Sequence, residues 1–247
     1  MASEETISKG RGQALGLPVR PLVCTIIAFT MLVSTGLCGC TVKVDSSGIE
    51  AGLSNAVQGS GKLKEETRKL PDFKVIELTG SANVTVRVGE SPAATISIDD
   101  NLLPLIKTKV NGDTLQINTE KPYNSAQKSK ITVTVPLLTT FILSGAGNVD
   151  IENVKGEKFK SSISGSGNMT VKGSANSELV SIEGAGSVNA RELKAQDVTV
   201  SISGSGSSEV SAEKTLDVDI TGSGNVAYFG KPKVTQHITG SGSITAP

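Results

Sequence analysis

The chain has 247 residues, a formal net charge of zero and 27 glycines, with two tyrosines, five phenylalanines and no tryptophan. Balanced charge, with no basic stripe and no aromatic–basic interleaving, excludes a nucleic-acid-binding surface and any strong field for anionic headgroups. Few aromatics and many small β-branched residues suit a thin stacked core rather than a thick globular one.

All three cysteines (24, 38 and 40) lie near the amino terminus. The first residues are polar and carry Lys9, Arg11 and Arg20, and an apolar run follows from Leu22 to Leu37. That run is short for a bilayer core of about 30 Å and ends in small residues, so it reads as a secretion signal, with an uncleaved membrane anchor as the competing reading. Leu37-Cys38-Gly39-Cys40 resembles the bacterial lipobox. The resemblance implies a signal peptide over 1–39, lipid modification of Cys40, and a mature chain held to a membrane by acyl groups. Thr41 stands where an Asp would, in such lipoproteins, favour the inner membrane, so the outer membrane is expected. With one cysteine left after cleavage, no intrachain disulfide is expected.

Residues 40–70 follow as the lipidated cysteine and a polar, small-residue linker containing Gly59-Ser60-Gly61 and Lys62-Leu-Lys-Glu-Glu66. They read as a flexible tether, with a short helix over 62–69 as an alternative. The folded domain is expected over 71–247. Its first half, 73–140, is strand-like: Phe73–Val88, Thr95–Ile98, a helical turn at 101–106, and a hairpin turn at Asn111-Gly112 leading into Thr114–Asn118. A polar loop spans Lys121–Lys130, and Ile131–Val135 is a strand ended by Pro136. We expect these to be opening rungs with one longer excursion that caps the first end.

From 143 to 246 one phrase recurs six times, beginning Leu143-Ser-Gly-Ala-Gly-Asn148-Val149 and ending Ile238-Thr-Gly-Ser-Gly-Ser243-Ile244. Its first glycines stand at 145, 165, 184, 204, 222 and 240, spaced by 20, 19, 20, 18 and 18 residues, and its second at 147, 167, 186, 206, 224 and 242. Before each turn, alternate residues share a face: Phe159, Ser161, Ile163; Glu178, Val180, Ile182; Val198, Val200, Ile202; Leu216, Val218, Ile220. Between them stand Lys160, Ser162, Ser181, Thr199, Ser201, Asp217 and Asp219. Period-two alternation in runs rich in β-branched residues predicts half-buried strands. A unit with one apolar face buries it only by stacking on its neighbours. The fold predicted is therefore all-β, a parallel β-solenoid of about 18–20 residues per rung.

The paired glycines supply positions able to take φ > 0 and let rungs approach closely. On that reading Gly167→Val and Gly224→Val carry a left-handed penalty of about 1–2 kcal/mol or more. Asn148, Asn168 and Asn225, with Ser187, Ser207 and Ser243, are expected to stack and satisfy turn backbone groups.

The residues offer little chemistry. His237 is the one histidine, and no Gly-x-Ser-x-Gly elbow accompanies it. Asp217 and Asp219 share an outward face, but neighbouring rungs put Ser162, Ser181 and Ser201 beside Asp219 rather than further acids. The glycine phrases lack the Lys-Ser/Thr and following helix of a phosphate loop, and the recurrent Asp of calcium-binding repeats. Ligands for a Cys/His metal site are missing. No cofactor, metal or catalytic residue is assigned.

The stretch 73–246 resembles the head GIN domain family, labelled as auto-transporter adhesins. The likeness rests on Val133-Thr-Val-Pro136 before Ser144-Gly-Ala-Gly147, the serial Ile-Ser-Gly-Ser-Gly-Asn phrases, and Gly224-Asn-Val-Ala-Tyr228-Phe-Gly230-Lys-Pro232. It implies a β-solenoid on an exported protein and no defined catalytic residues. With no C-terminal barrel segment in the sequence, self-translocation is not expected. The function expected is a lipid-anchored, non-catalytic binding, adhesion or structural module of the cell envelope, with an envelope glycan or protein as partner. The alternative is a glycan lyase or hydrolase using Asp217 and Asp219. Self-association through the edge of the last rung, Gln236–Ala246, is a further expectation.

Overall fold

The computed structural model describes residues 56–125 and 129–247. In chain order the strands of the first half are β1 (Val57–Gln58), β2 (Leu63–Lys69), β3 (Val75–Gly80), β4 (Asn83–Val88), β5 (Ala93–Asp99), β6 (Ile106–Asn111), β7 (Thr114–Thr119), β8 (Tyr123–Asn124) and β9 (Lys130–Val135). The second half holds β10 (Thr140–Gly145), β11 (Asn148–Gly165), β12 (Asn168–Gly184), β13 (Ser187–Gly204), β14 (Ser207–Gly222), β15 (Asn225–Gly230), β16 (Lys233–Gly240) and β17 (Ser243–Thr245). One 3-10 turn, Leu103–Leu105, stands where the sequence suggests a helical turn.

From β10 onward every neighbouring pair is parallel, and each phrase lies directly on the next. Leu78, Leu143, Ile163, Ile182, Ile202 and Ile220 form one in-register column. Each is at most 1% exposed. Beside it run Phe141, Ser161, Val180, Val200 and Val218, then Phe159, Glu178, Val198 and Leu216. The fold is the β-solenoid that the alternation predicts. Its apolar spine exists because small corners let short greasy ribbons lie about 4.8 Å apart.

Rungs of unequal length still keep register at the glycine corners. The difference is absorbed elsewhere, at bulges between Ile151 and Val154, Thr170 and Lys172, and Ala190 and Lys194. Asn153, in the first of these, takes φ +64 and is the only non-glycine with positive φ among the described residues. An Asn there meets the smallest penalty for an L-residue.

The first end is not stacked in chain order. β3 lies between β7 and β10, and β4 between β9 and β11. The excursion through residues 89–135 therefore folds back to lay an outer rung beneath the one that precedes it in sequence. β6 then closes on β7 and β5 on β9, both antiparallel, with the Asn111-Gly112 hairpin joining β6 to β7.

The tether expected to run to residue 70 differs at its far end. Leu63–Lys69 is neither free nor helical but a strand, antiparallel to β5 over its whole length. Arg68 fastens it, donating to the Ile106 carbonyl at 2.8 Å and the Thr108 hydroxyl at 3.1 Å while pairing with Glu66. A charged edge strand of this kind protects a sheet margin from further pairing, which explains a segment with little apolar content of its own.

Candidate functional site

The corners come first because they set every outward side chain. At Gly145, Gly165, Gly184, Gly204, Gly222 and Gly240 φ lies between +115 and +141. A Cβ at Gly204 would stand 2.3 Å from the Gly184 carbonyl oxygen of the rung below. The second glycines obey a different constraint. Gly147, Gly167, Gly186, Gly206, Gly224 and Gly242 have no left-handed φ, and a Cβ there would strike packed neighbours instead. At Gly167 it would meet Leu143 Cδ2 at 2.5 Å and the Gly147 oxygen at 2.7 Å, and at Gly224 it would meet Ile202 Cγ2 at 2.6 Å. The left-handed penalty expected for Gly167→Val and Gly224→Val is thus replaced by a steric one. The turn phrase needs its two glycines for two reasons.

The turn backbone is satisfied by other rungs rather than by Asn and Ser side chains. Ser166 N–H donates to the Gly145 carbonyl at 3.0 Å and Asn168 N–H to Gly147 at 3.0 Å, a pattern repeated upward to Ser241 and Ser243. Freed from that role, the side chains bond one another. Asn168 donates to Asn148 and Asn148 to Asn83, each at 3.0 Å, Ser207 donates to Ser187 at 3.1 Å, and Ser243 to Asn225 at 2.7 Å. Such ladders run along the stacking axis and reinforce register.

The wall before the corner carries the candidate binding face. Its outward pairs are Ser162/Ser164, Ser181/Glu183, Ser201/Ser203, Asp219/Thr221 and His237/Thr239, aligned rung on rung. Towards the other margin a shallow groove is lined by Thr140, Lys158, Lys160, Ser177, Leu179 and Thr199, where Leu179 is 38% exposed. Hydroxyls, two ammonium groups and one exposed aliphatic side chain therefore meet at one place.

The structure puts Asp219 between Ser201 and His237, and Asp217 between Thr199 and Thr235. All three of Asp217, Asp219 and His237 are exposed to solvent. No apolar pocket surrounds either carboxyl, as protonation of a glycosidic oxygen would require. Among the described residues no group of three His, Cys, Asp or Glu side chains is placed to hold a metal ion. No helix among them is long and apolar enough to cross a membrane. Cys40 and the apolar run before it lie outside the described residues.

One ionisable group escaped the reading of chemistry from sequence. Glu178 lies in the inward register between Phe159 and Val198, fully buried, and neither carboxyl oxygen has a hydrogen-bond partner. Burial pushes its pKa up to about 8. Its inward position was readable from the alternation, but one acid in an apolar column gives no sign of what surrounds it. Ser161, in the adjacent column, and Ser208 are also buried without partners for their hydroxyls. Asp99 is buried in the cap beside Gly59, with one carboxyl oxygen accepting from Ser125. Glu178 also borders the groove of Lys158, Lys160 and Leu179, but these buried groups are dispersed along the spine and the cap and do not converge with one another.

Solved structures share this architecture. An adhesin structure from Bacteroides fragilis, described as putative, matches with TM-score 0.63 at 24% identity, over 76% of this chain and 99% of that one. A second such adhesin, from Parabacteroides merdae, gives TM-score 0.55 at 21% identity over 78% of this chain and 100% of that one. A structure described as a putative lipid binding protein, from Parabacteroides distasonis, gives 0.53 at 24% over 76% and 98%. At these identities the likeness is one of fold. No curated protein matches the chain. The family profile described as "Putative auto-transporter adhesin, head GIN domain" matches residues 72–232, from the strands of the first half through the fifth glycine corner, and the chain belongs to that family.

Proposed function

We propose that this protein is a non-catalytic binding or adhesion module of the bacterial cell envelope, tethered through a lipid on Cys40, and that it holds an envelope glycan or protein against the outward wall of its solenoid. The observation that carries this reading is the wall itself, an in-register array of small polar side chains beside the groove of Lys158, Lys160 and Leu179. The names given to the fold relatives, adhesins among them, point the same way. A rigid scaffold repeating one short polar motif presents many equivalent weak contacts, and multivalent contact raises avidity without any single strong site.

The test combines fractionation with a binding and turnover screen on a glycan array. The wild-type chain is expected in the membrane fraction, and Cys40→Ser in the soluble one. Binding without turnover is expected, and it should survive in Asp217→Asn/Asp219→Asn. Turnover lost in that double variant would replace this reading with a carbohydrate-active enzyme.

A further inference from the structure

The two ends of the solenoid differ. At the first, the outermost strands are β6 and β2, antiparallel to their neighbours, with Lys107 and Lys109 on one and Lys64, Glu65, Glu66, Arg68 and Lys69 on the other. At the second, β16 pairs with β14 alone among the described residues, as a parallel strand with no charged strand over it. Burial records the difference. Leu216 and Ile220 are 1% and 0% exposed because a rung covers them, whereas their register partners Val234 and Ile238 are only partly buried. Between these two the inward column of Val200 and Val218 ends in an exposed Gln236.

We infer that the outer edge of β16 pairs antiparallel with the same edge of a second copy, forming a two-fold dimer centred on Gln236. The strand's sequence is self-complementary about that residue. With the dyad at Gln236, Val234 faces Ile238 of the second copy on the apolar side, Thr235 faces His237 on the polar side, and Lys233 faces Thr239. Inward residues stay opposite inward ones, and no like charges meet. Shifting the dyad to His237 would set Gln236 against Ile238 and Val234 against Gly240, losing the apolar match.

The backbone agrees with this centre. Ser241 and Ser243 donate their N–H groups back to Gly222 and Gly224, and residues alternate in the neighbour they bond along a parallel strand. The amides of Thr235, His237 and Thr239 therefore point to β14, leaving those of Val234, Gln236 and Ile238 on the outer side. These are the residues that the Gln236 dyad pairs. The charged antiparallel strands at the first end leave no matching edge for head-to-tail growth, so the contact closes on itself rather than propagating. One strand pairing buries well under the ~800 Å² per partner of a standard interface, so the dimer is weak and reversible.

This inference goes beyond the binding role and stands independently of it. Sedimentation of the full-length chain in detergent, across a concentration series, should show a monomer–dimer equilibrium. Gln236→Lys and Gln236→Glu, at an exposed position, should each weaken it by about tenfold or more, since each sets two like charges face to face at the dyad. An equal mixture of the two variants should restore a heterodimer, which separates lost pairing from lost folding. A wild type that stays monomeric throughout, a dimer indifferent to Gln236→Lys, or species that keep growing with concentration would each overturn it.

Discussion

Glu178 holds its proton at neutral pH because Phe159 and Val198, stacked on either side, offer nothing to share a charge. The folded carboxyl titrates near 8, while in the unfolded chain it ionises near its ordinary 4.5. Between those values the native state binds a proton that the unfolded state has released, so its contribution to stability falls as pH rises and levels off above about 8. The loss across that window is on the order of a few kcal/mol. Glu178→Leu matches Leu216 in the same column, and it should raise the denaturation midpoint least at pH 4.5, where only an unpartnered neutral carboxyl is removed, more at pH 7 and most at pH 9. Chemical denaturation at the three pH values reads this directly. A wild type and a variant whose stabilities run parallel across pH would show that the carboxyl is not desolvated.

At the scale of the corner, the two glycines of each phrase fail for separate reasons when given a side chain. Gly204 needs φ +126, a region open to glycine almost alone, and also abuts the Gly184 oxygen. Gly206 has ordinary φ but faces Ile182 Cγ2 at 2.6 Å and the Gly186 oxygen at 2.7 Å. Gly204→Ala is expected to cost about 2–4 kcal/mol, combining backbone strain of about 1–3 kcal/mol with displacement of a rigid carbonyl. Gly206→Ala should cost about 1–3 kcal/mol, because its ordinary φ spares it the backbone strain and leaves only the clash with the Ile182 methyl and the Gly186 oxygen. Thermal denaturation of the pair checks the order, and equal losses would mean that φ contributes nothing. The repeat made the corner legible as a corner. It could not say which glycine turns and which merely makes room, since both read as Gly at two-residue spacing. The same limit held for Asn148 and Asn168: stacking followed from the period, but their mutual bonds depended on neighbouring rungs already satisfying the backbone. The candidate wall was likewise legible in Ser162, Ser181 and Ser201, whereas the groove at Lys158, Lys160 and Leu179 needs the four neighbouring strands β10 to β13 seen side by side.

For the whole molecule the consequence is near one-dimensional stability. Each rung touches the ones directly above and below it, so protection depends on how many covered neighbours a rung has. Column residues of β12, β13 and β14 are covered on both sides, the first end is closed by β2 and β6, and β16 and β17 each have one described neighbour. The sequence alone shows the repeat and an excursion that caps the first end, but not the part of β2 in that cap, because β2 takes its place through Arg68 and β5 rather than through any apolar pattern. Hydrogen exchange should therefore be slowest in β12–β14, slow in β3 and β4 beneath their outer rung, and fastest in β16 and β17. Ile202→Ala, at the centre of the spine, should cost about 2–5 kcal/mol and raise exchange in the rungs on both sides of it. Val234→Ala, in the partly buried last rung, should cost less and change little beyond β14. Uniform exchange from β3 to β17, or an Ile202→Ala effect confined to its own rung, would show that the rungs do not share one spine.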